Sequence, residues 1–141
     1  MSRIKICGLR RPEDIAAVNE ARPDYCGFIV EYPKSRRSID RTTLRELVRG
    51  LREKIVPVGV FVNATKELVA ELLEEGTIQI AQLHGQESQE YIQELKVLTE
   101  KPLIQAFSIK SKEDVERARE SVADYILLDL SLIHISEPTR H

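Results

Sequence analysis

Six short runs rich in β-branched and other apolar residues recur along the chain, at 3–7, 24–30, 55–62, 78–83, 102–107 and 124–129. Each is separated from the next by a longer stretch whose apolar residues fall at helical spacing: Ile15 and Val18; Leu44, Leu47, Val48 and Leu51; Leu68, Val69, Leu72 and Leu73; Ile92, Leu95 and Leu98; Val115, Ala118 and Val122. The runs VPVGVFV and YILLD are apolar at successive positions, so both faces of each strand must be hidden from water. That pattern belongs to a parallel sheet covered by helices, because a parallel pair needs a crossover and the crossover helix supplies the cover. Helix starts are marked as well. Pro12 suits a first helical turn, Thr43 with Glu46 fits a capping box, and Ser111 with Asp114 fits a looser version of it.

Repeated strand–helix units either close as a (β/α)8 TIM barrel or remain an open doubly wound sheet. The first turn after a strand, ICGLRRPED, lacks the G-x-G-x-x-G that cradles dinucleotides in open sheets, and this leans toward the barrel. At 141 residues the chain is one domain by length but short of the roughly 200 that a barrel usually needs. The expectation is an α/β chain holding about the first six βα units of such a barrel.

Charge narrows the partners. Lysine and arginine total 21 against 23 acids, with no block of one sign, so neither nucleic acid nor a membrane surface is indicated. The opening MSRIKICG lacks the apolar core of a signal peptide, and no run approaches the roughly 18 apolar residues of a membrane helix, which points to the cytoplasm. Cys7 and Cys26 show no metal-ligand spacing, and a reducing compartment argues against a disulfide between them.

Barrels of this kind put their chemistry at the carboxyl ends of the strands. Strand one ends IKICG, which sets Cys7 at that mouth, either as a base or nucleophile or as a buried small hydrophobe; Cys26 lies mid-strand and has only the second reading. EYPKSRRSI follows strand two, and the forks of Arg36 and Arg37 match a carboxylate or phosphate, the alternative being a solvated loop. GVFVN and AQLHG bring Asn63, Gln82 and His84 to the same mouth as polar groups for a substrate, although a histidine at a strand end also serves as a hydrogen-bonded structural residue. The last run closes LLD, offering Asp129 as a general acid or as a loop cap.

Taken in order, KICG, GFIV with PKSRR, VGVFVN, QLHG and LLD resemble the phosphoribosylanthranilate isomerase family of tryptophan biosynthesis, over residues 3–129. The resemblance implies a TIM barrel and an Amadori rearrangement of N-(5-phosphoribosyl)anthranilate to 1-(o-carboxyphenylamino)-1-deoxyribulose 5-phosphate. It also implies Cys7 as general base, Asp129 as general acid and Arg37 as the ligand of the anthranilate carboxylate; Gln82 and His84, from their strand ends, are expected to line the substrate. A phosphosugar is the implied partner, with no metal and no cofactor, because the substrate's own nitrogen accepts the electrons; monomer and homodimer both stay open for the complete protein. Alternatives are another phosphosugar enzyme on the same barrel, which KICG and PKSRR argue against, and a non-catalytic α/β binding module.

After LLD the family pattern continues into a glycine-rich phosphate loop and two further strands. Here the chain reads LSLIHISEPTRH, without glycine. The run from Leu130 to Arg140 matches the in-frame translation of a transposon-end sequencing adapter, so the expected division is a partial isomerase domain at 1–129 and a non-native tail at 130–141. Without the phosphate loop, the 141-residue chain is expected to be a poor catalyst.

Overall fold

The structure, a computed structural model, describes residues 5–84 and 86–130. Seven strands, β1 (Lys5–Cys7), β2 (Tyr25–Val30), β3 (Ser38–Ile39), β4 (Val56–Phe61), β5 (Ile80–Leu83), β6 (Leu103–Ile109) and β7 (Tyr125–Leu130), form one sheet. Its order is β1-β2-β4-β5-β6-β7 and every pairing is parallel, with the two-residue β3 attached to β2. Five helices make the crossovers: α1 (Pro12–Ala21), α2 (Arg41–Arg49), α3 (Lys66–Glu74), α4 (Gln89–Leu98) and α5 (Lys112–Arg119). Sequential order without reversal is barrel winding, so the sheet is a partial (β/α)8 barrel. All six strands expected from the sequence are present, shifted by one or two residues at their ends. Residues 3 and 4 of the first expected strand, and residues 131–141 of the expected tail, lie outside the described residues; Leu130, assigned to that tail, ends β7.

The register divides each strand into two faces. The outer face carries Cys26, Phe28 and Val30 of β2, Phe61 of β4, Ala81 and Leu83 of β5 and Leu103 of β6, packed with Ile15, Val18, Leu44, Leu47, Leu68, Val69, Leu72, Leu73, Ile92 and Leu95 from the helices. The inner face carries Val58, Val60, Gln82 and Ala106, all buried yet separate from that cluster. Two apolar layers back to back are what a barrel wall requires, and they account for the near-continuous apolar strands.

Local signals place the helix starts. Pro12 opens α1, where its missing N–H costs nothing, and the Asp14 carboxylate accepts from the Arg10 and Arg11 N–H groups, each at 3.1 Å. Ser111 caps α5, and Asp114 accepts from the Lys110 and Ser111 N–H groups, as the Ser–Asp spacing led one to expect. The Thr43–Glu46 box is corrected: α2 begins at Arg41, its cap is Asp40, and Asp40 accepts from the Thr43 N–H at 2.8 Å. Aspartate serves the cap by the same acceptor chemistry as threonine, and the first buried position, Leu44, stays in phase with the earlier start.

β7 is the least covered strand. Tyr125 and Leu127 of its inner face and Ile126 and Leu128 of its outer face are between 43% and 63% exposed. Among the described residues β7 pairs only with β6, which leaves one edge open. Within the packed region, Leu72→Ala removes a fully buried side chain from α3 and is expected to cost about 2–5 kcal/mol. Val97→Ala, at a position 85% exposed, is expected to stay within about 0.5 kcal/mol, both read from urea unfolding midpoints.

Candidate active site

Following the register around the sheet assembles the mouth. Cys7 pairs with Gly27, Gly27 with Val58 and Val60 with Gln82; Gln82 pairs with Ile104 and Ser108 with Asp129. Paired residues of parallel strands share a face, so Cys7, Gln82 and Asp129 all belong to the inner face, and Cys7 and Asp129 lie toward its carboxyl end. Both are exposed. Cys7 lies against β2 where there is no side chain in its way: a Cβ at Gly27 would sit 2.8 Å from Cys7 Sγ. Cys26, one residue earlier on the outer face, is fully buried, and burial first and Cys7 second push its thiol up to about 12.

Gly8 is required twice over. Its φ of +86° favours glycine, and a Cβ there would meet Arg37 at 2.7 Å from Cδ and 2.9 Å from Nη1. Arg37 therefore folds from the loop after β2 across Gly8, the residue next to Cys7. Arg36 is exposed, and its carbonyl accepts from Arg10 Nη1 at 3.4 Å.

The loop that carries Arg37 is held by its own turns and by ion pairs. The Ser35 N–H donates to the Tyr32 carbonyl at 3.0 Å, the Tyr32 N–H donates to Ser38 Oγ at 2.7 Å, and the Glu31 N–H donates to the Ile39 carbonyl at 2.8 Å. Glu31, at φ +48°, pairs with Arg41, which also meets Glu71; Arg45 meets Glu71 and Glu75. These links tie the loop to α2 and α3. Isolated surface pairs contribute about 0–1 kcal/mol each, so the chain of them matters more for placing the loop than for total stability.

Gln82 is buried on β5, and its Oε1 accepts from Lys5 Nζ of β1 across the inner face. That bond spans β2 and β4 and shows the curl of the sheet directly. His84 follows β5; its backbone N–H donates to the Phe61 carbonyl at 2.8 Å and its half-buried side chain lines a cavity of about 700 Å³. Asn63, Glu87, Gln105, Ser108 and Lys110 line the same cavity, whereas Cys7, Arg37 and Asp129 do not. Asn63 turns out to hold loops together: at φ +53° its N–H donates to buried Glu87 at 2.8 Å and its Oδ1 accepts from the Gln86 N–H at 2.9 Å. Lys5 and Glu87 escaped the sequence reading. A lysine in a strand reads as a solvent-facing residue, and Glu87 sits in a polar stretch without periodicity; only the K before ICG was there to signal the first.

A sequentially wound parallel sheet covered by crossover helices, with Cys7, Arg37 and Asp129 toward its carboxyl mouth, places the chain in the class of βα-barrel folds. A family model described as N-(5'-phosphoribosyl)anthranilate isomerase matches residues 4–138. The chain belongs to that family. It is 43% identical over 135 residues to the N-(5'-phosphoribosyl)anthranilate isomerase of Acetivibrio thermocellus and 41% identical over 129 residues to that of Caldanaerobacter subterraneus subsp. tengcongensis; each match covers 92% of this chain and 61% of the relative. The phosphoribosyl anthranilate isomerase structure from Thermotoga maritima superposes with a TM-score of 0.79 at 34% identity, over 93% of this chain and 62% of that one. A complex of the isomerase with reduced 1-(o-carboxyphenylamino)-1-deoxyribulose 5-phosphate gives the same TM-score and identity, over 93% and 66%. The chain thus spans about three fifths of the length of these relatives.

Acid is expected to loosen the loop anchor. Hydrogen bonds from Arg41 hold Glu31 below the ordinary carboxylate value of 4.5, and those from Arg45 do the same for Glu75. A lowered folded value gives stability that is complete above the unfolded value and is lost as pH falls through the folded one. Urea midpoints should therefore drop as pH falls below about 4.5, and an Arg41→Met, Arg45→Met double variant should show a shallower drop.

Proposed function

We propose that the protein of which this chain forms part catalyses the Amadori rearrangement of N-(5-phosphoribosyl)anthranilate, the isomerisation step of tryptophan biosynthesis, in the cytoplasm. The observation that carries this reading is the shared inner face of Cys7 and Asp129 at the mouth, with Arg37 folded over Gly8 beside the thiol. Membership of the isomerase family supports it.

In this reading Asp129, protonated, donates to the furanose ring oxygen, and the C1′–O bond breaks as the anthranilate nitrogen pushes to form an iminium. Cys7, as thiolate, removes the C2′ proton; the C–H electrons form the C1′–C2′ double bond while the π electrons of the iminium return to nitrogen, giving an enolamine that tautomerises to the ketone. Acid and base act on adjacent atoms in sequence, so two groups on one face suffice. Opposite environments must favour opposite protonation states for both to work near neutral pH. Arg37 holds the anthranilate carboxylate as a fork on a planar anion. Gln82 and His84 complete the lining, Gln82 as the buried partner of Lys5 and His84 from the cavity side. The phosphate grip belongs to the part of the relatives' length that this chain does not span.

In a protein carrying the full length of its relatives, Cys7→Ala and Asp129→Asn are each expected to lower kcat by about 10²–10⁴-fold with thermal unfolding unchanged. Arg37→Ala is expected to raise KM more than it lowers kcat. Full turnover in either of the first two variants would contradict the base and acid assignments.

A further inference from the structure

Lys5 shares the inner face with Cys7 and Gln82 and, on the neighbouring strands, with Tyr25, Val56, Val58 and Val60. Lys5 is exposed, so what fixes its ammonium is the bond it makes and not burial. Its partner is Gln82 Oε1, itself buried. Its neighbour is Cys7: a Cβ at Gly27 would stand 2.8 Å from Cys7 Sγ and 3.2 Å from Lys5 Cε, so the thiol and the lysine's last methylene both lie over the same glycine. Residues two apart on a strand point the same way, which keeps the two side chains on one face without a special turn.

We infer that Lys5 is a positioning residue, tethered by Gln82, whose fixed positive charge favours the thiolate form of Cys7; this rests on the reading of Cys7 as the general base. A thiolate is the basic form, and a nearby cation stabilises it relative to the thiol. The tether matters because a free lysine would spread its charge over many rotamers in water. Other groups face the thiol too. Arg37 crosses Gly8 as a second cation, Tyr25 stands opposite Lys5 on β2, Cys26 lies beside Cys7 with its thiol pushed up by burial, and Asp129 is the carboxylate of the same inner face. Arg37 belongs to a loop that the substrate engages, whereas Lys5 is fixed within the sheet.

The test is the pH dependence of iodoacetamide alkylation at Cys7, followed by mass spectrometry on the 141-residue chain, with buried Cys26 as the check that the fold persists. Lys5→Met is expected to slow alkylation at pH 7 by about threefold to tenfold and to move the rate profile to higher pH, while Lys5→Arg keeps the rate within about twofold of the parent. Gln82→Glu, which sets a carboxylate against the ammonium, should shift the profile in the same direction and decides the matter if Lys5→Met exposes Cys26. An unchanged profile in Lys5→Met, or in Gln82→Glu where that variant decides, overturns the inference, as does an arginine variant as slow as the methionine one. Failure of the base assignment is read separately, from turnover by Cys7→Ala.

Discussion

Every strand but the edges of this sheet must be dry on both faces, and most of the molecule follows from that. The outer face is dried by helices, the inner one by the other strands, so the chain has to alternate strand and helix and the sheet has to curl. Phe28 and Phe61 point outward into the helical layer, whereas Val58 and Val60 point inward and belong to a separate packing group. β7 shows the constraint by violating it: its apolar residues on both faces stay between 43% and 63% exposed among the described elements.

The curl also creates the site. Inner-face residues that lie on distant strands converge, and the Lys5–Gln82 bond records this, joining β1 to β5 over two intervening strands. At the mouth, small residues make room for the candidate site residues. Gly27 leaves space for the Cys7 thiol and Gly8 leaves space for the Arg37 side chain. The ion pairs of Glu31, Arg41 and Arg45 then hold the arginine loop against the helical layer, which relates a surface network to the geometry of the proposed site.

Much of this was legible in the chain. Apolar periodicity located six strands and the helices between them because the barrel wall demands two-sided burial, and no loop segment imitates that pattern. β3 was not legible, since two residues carry no period, and the start of α2 was misplaced because Asp40 and Thr43 offer equivalent capping chemistry three residues apart. Cys7, Gln82, His84 and Asp129 could be named from their strand-end positions, whereas Arg37 was set apart from Arg36 only by the family resemblance. What spacing could not give was how they connect: Gln82 is tied to Lys5, His84 lines a cavity apart from Cys7, and Asn63 clamps two loops through Glu87. Those are contacts between residues far apart in sequence, which only the register and the curl bring together.

The central claim is that the mouth around Cys7 is where the substrate sits. The most direct measurement is the alkylation rate of Cys7 in the full-length protein with and without reduced 1-(o-carboxyphenylamino)-1-deoxyribulose 5-phosphate. Saturating ligand is expected to protect Cys7 strongly while leaving the overall fold unchanged. Equal alkylation in the presence of demonstrably bound ligand would place the substrate elsewhere and contradict it.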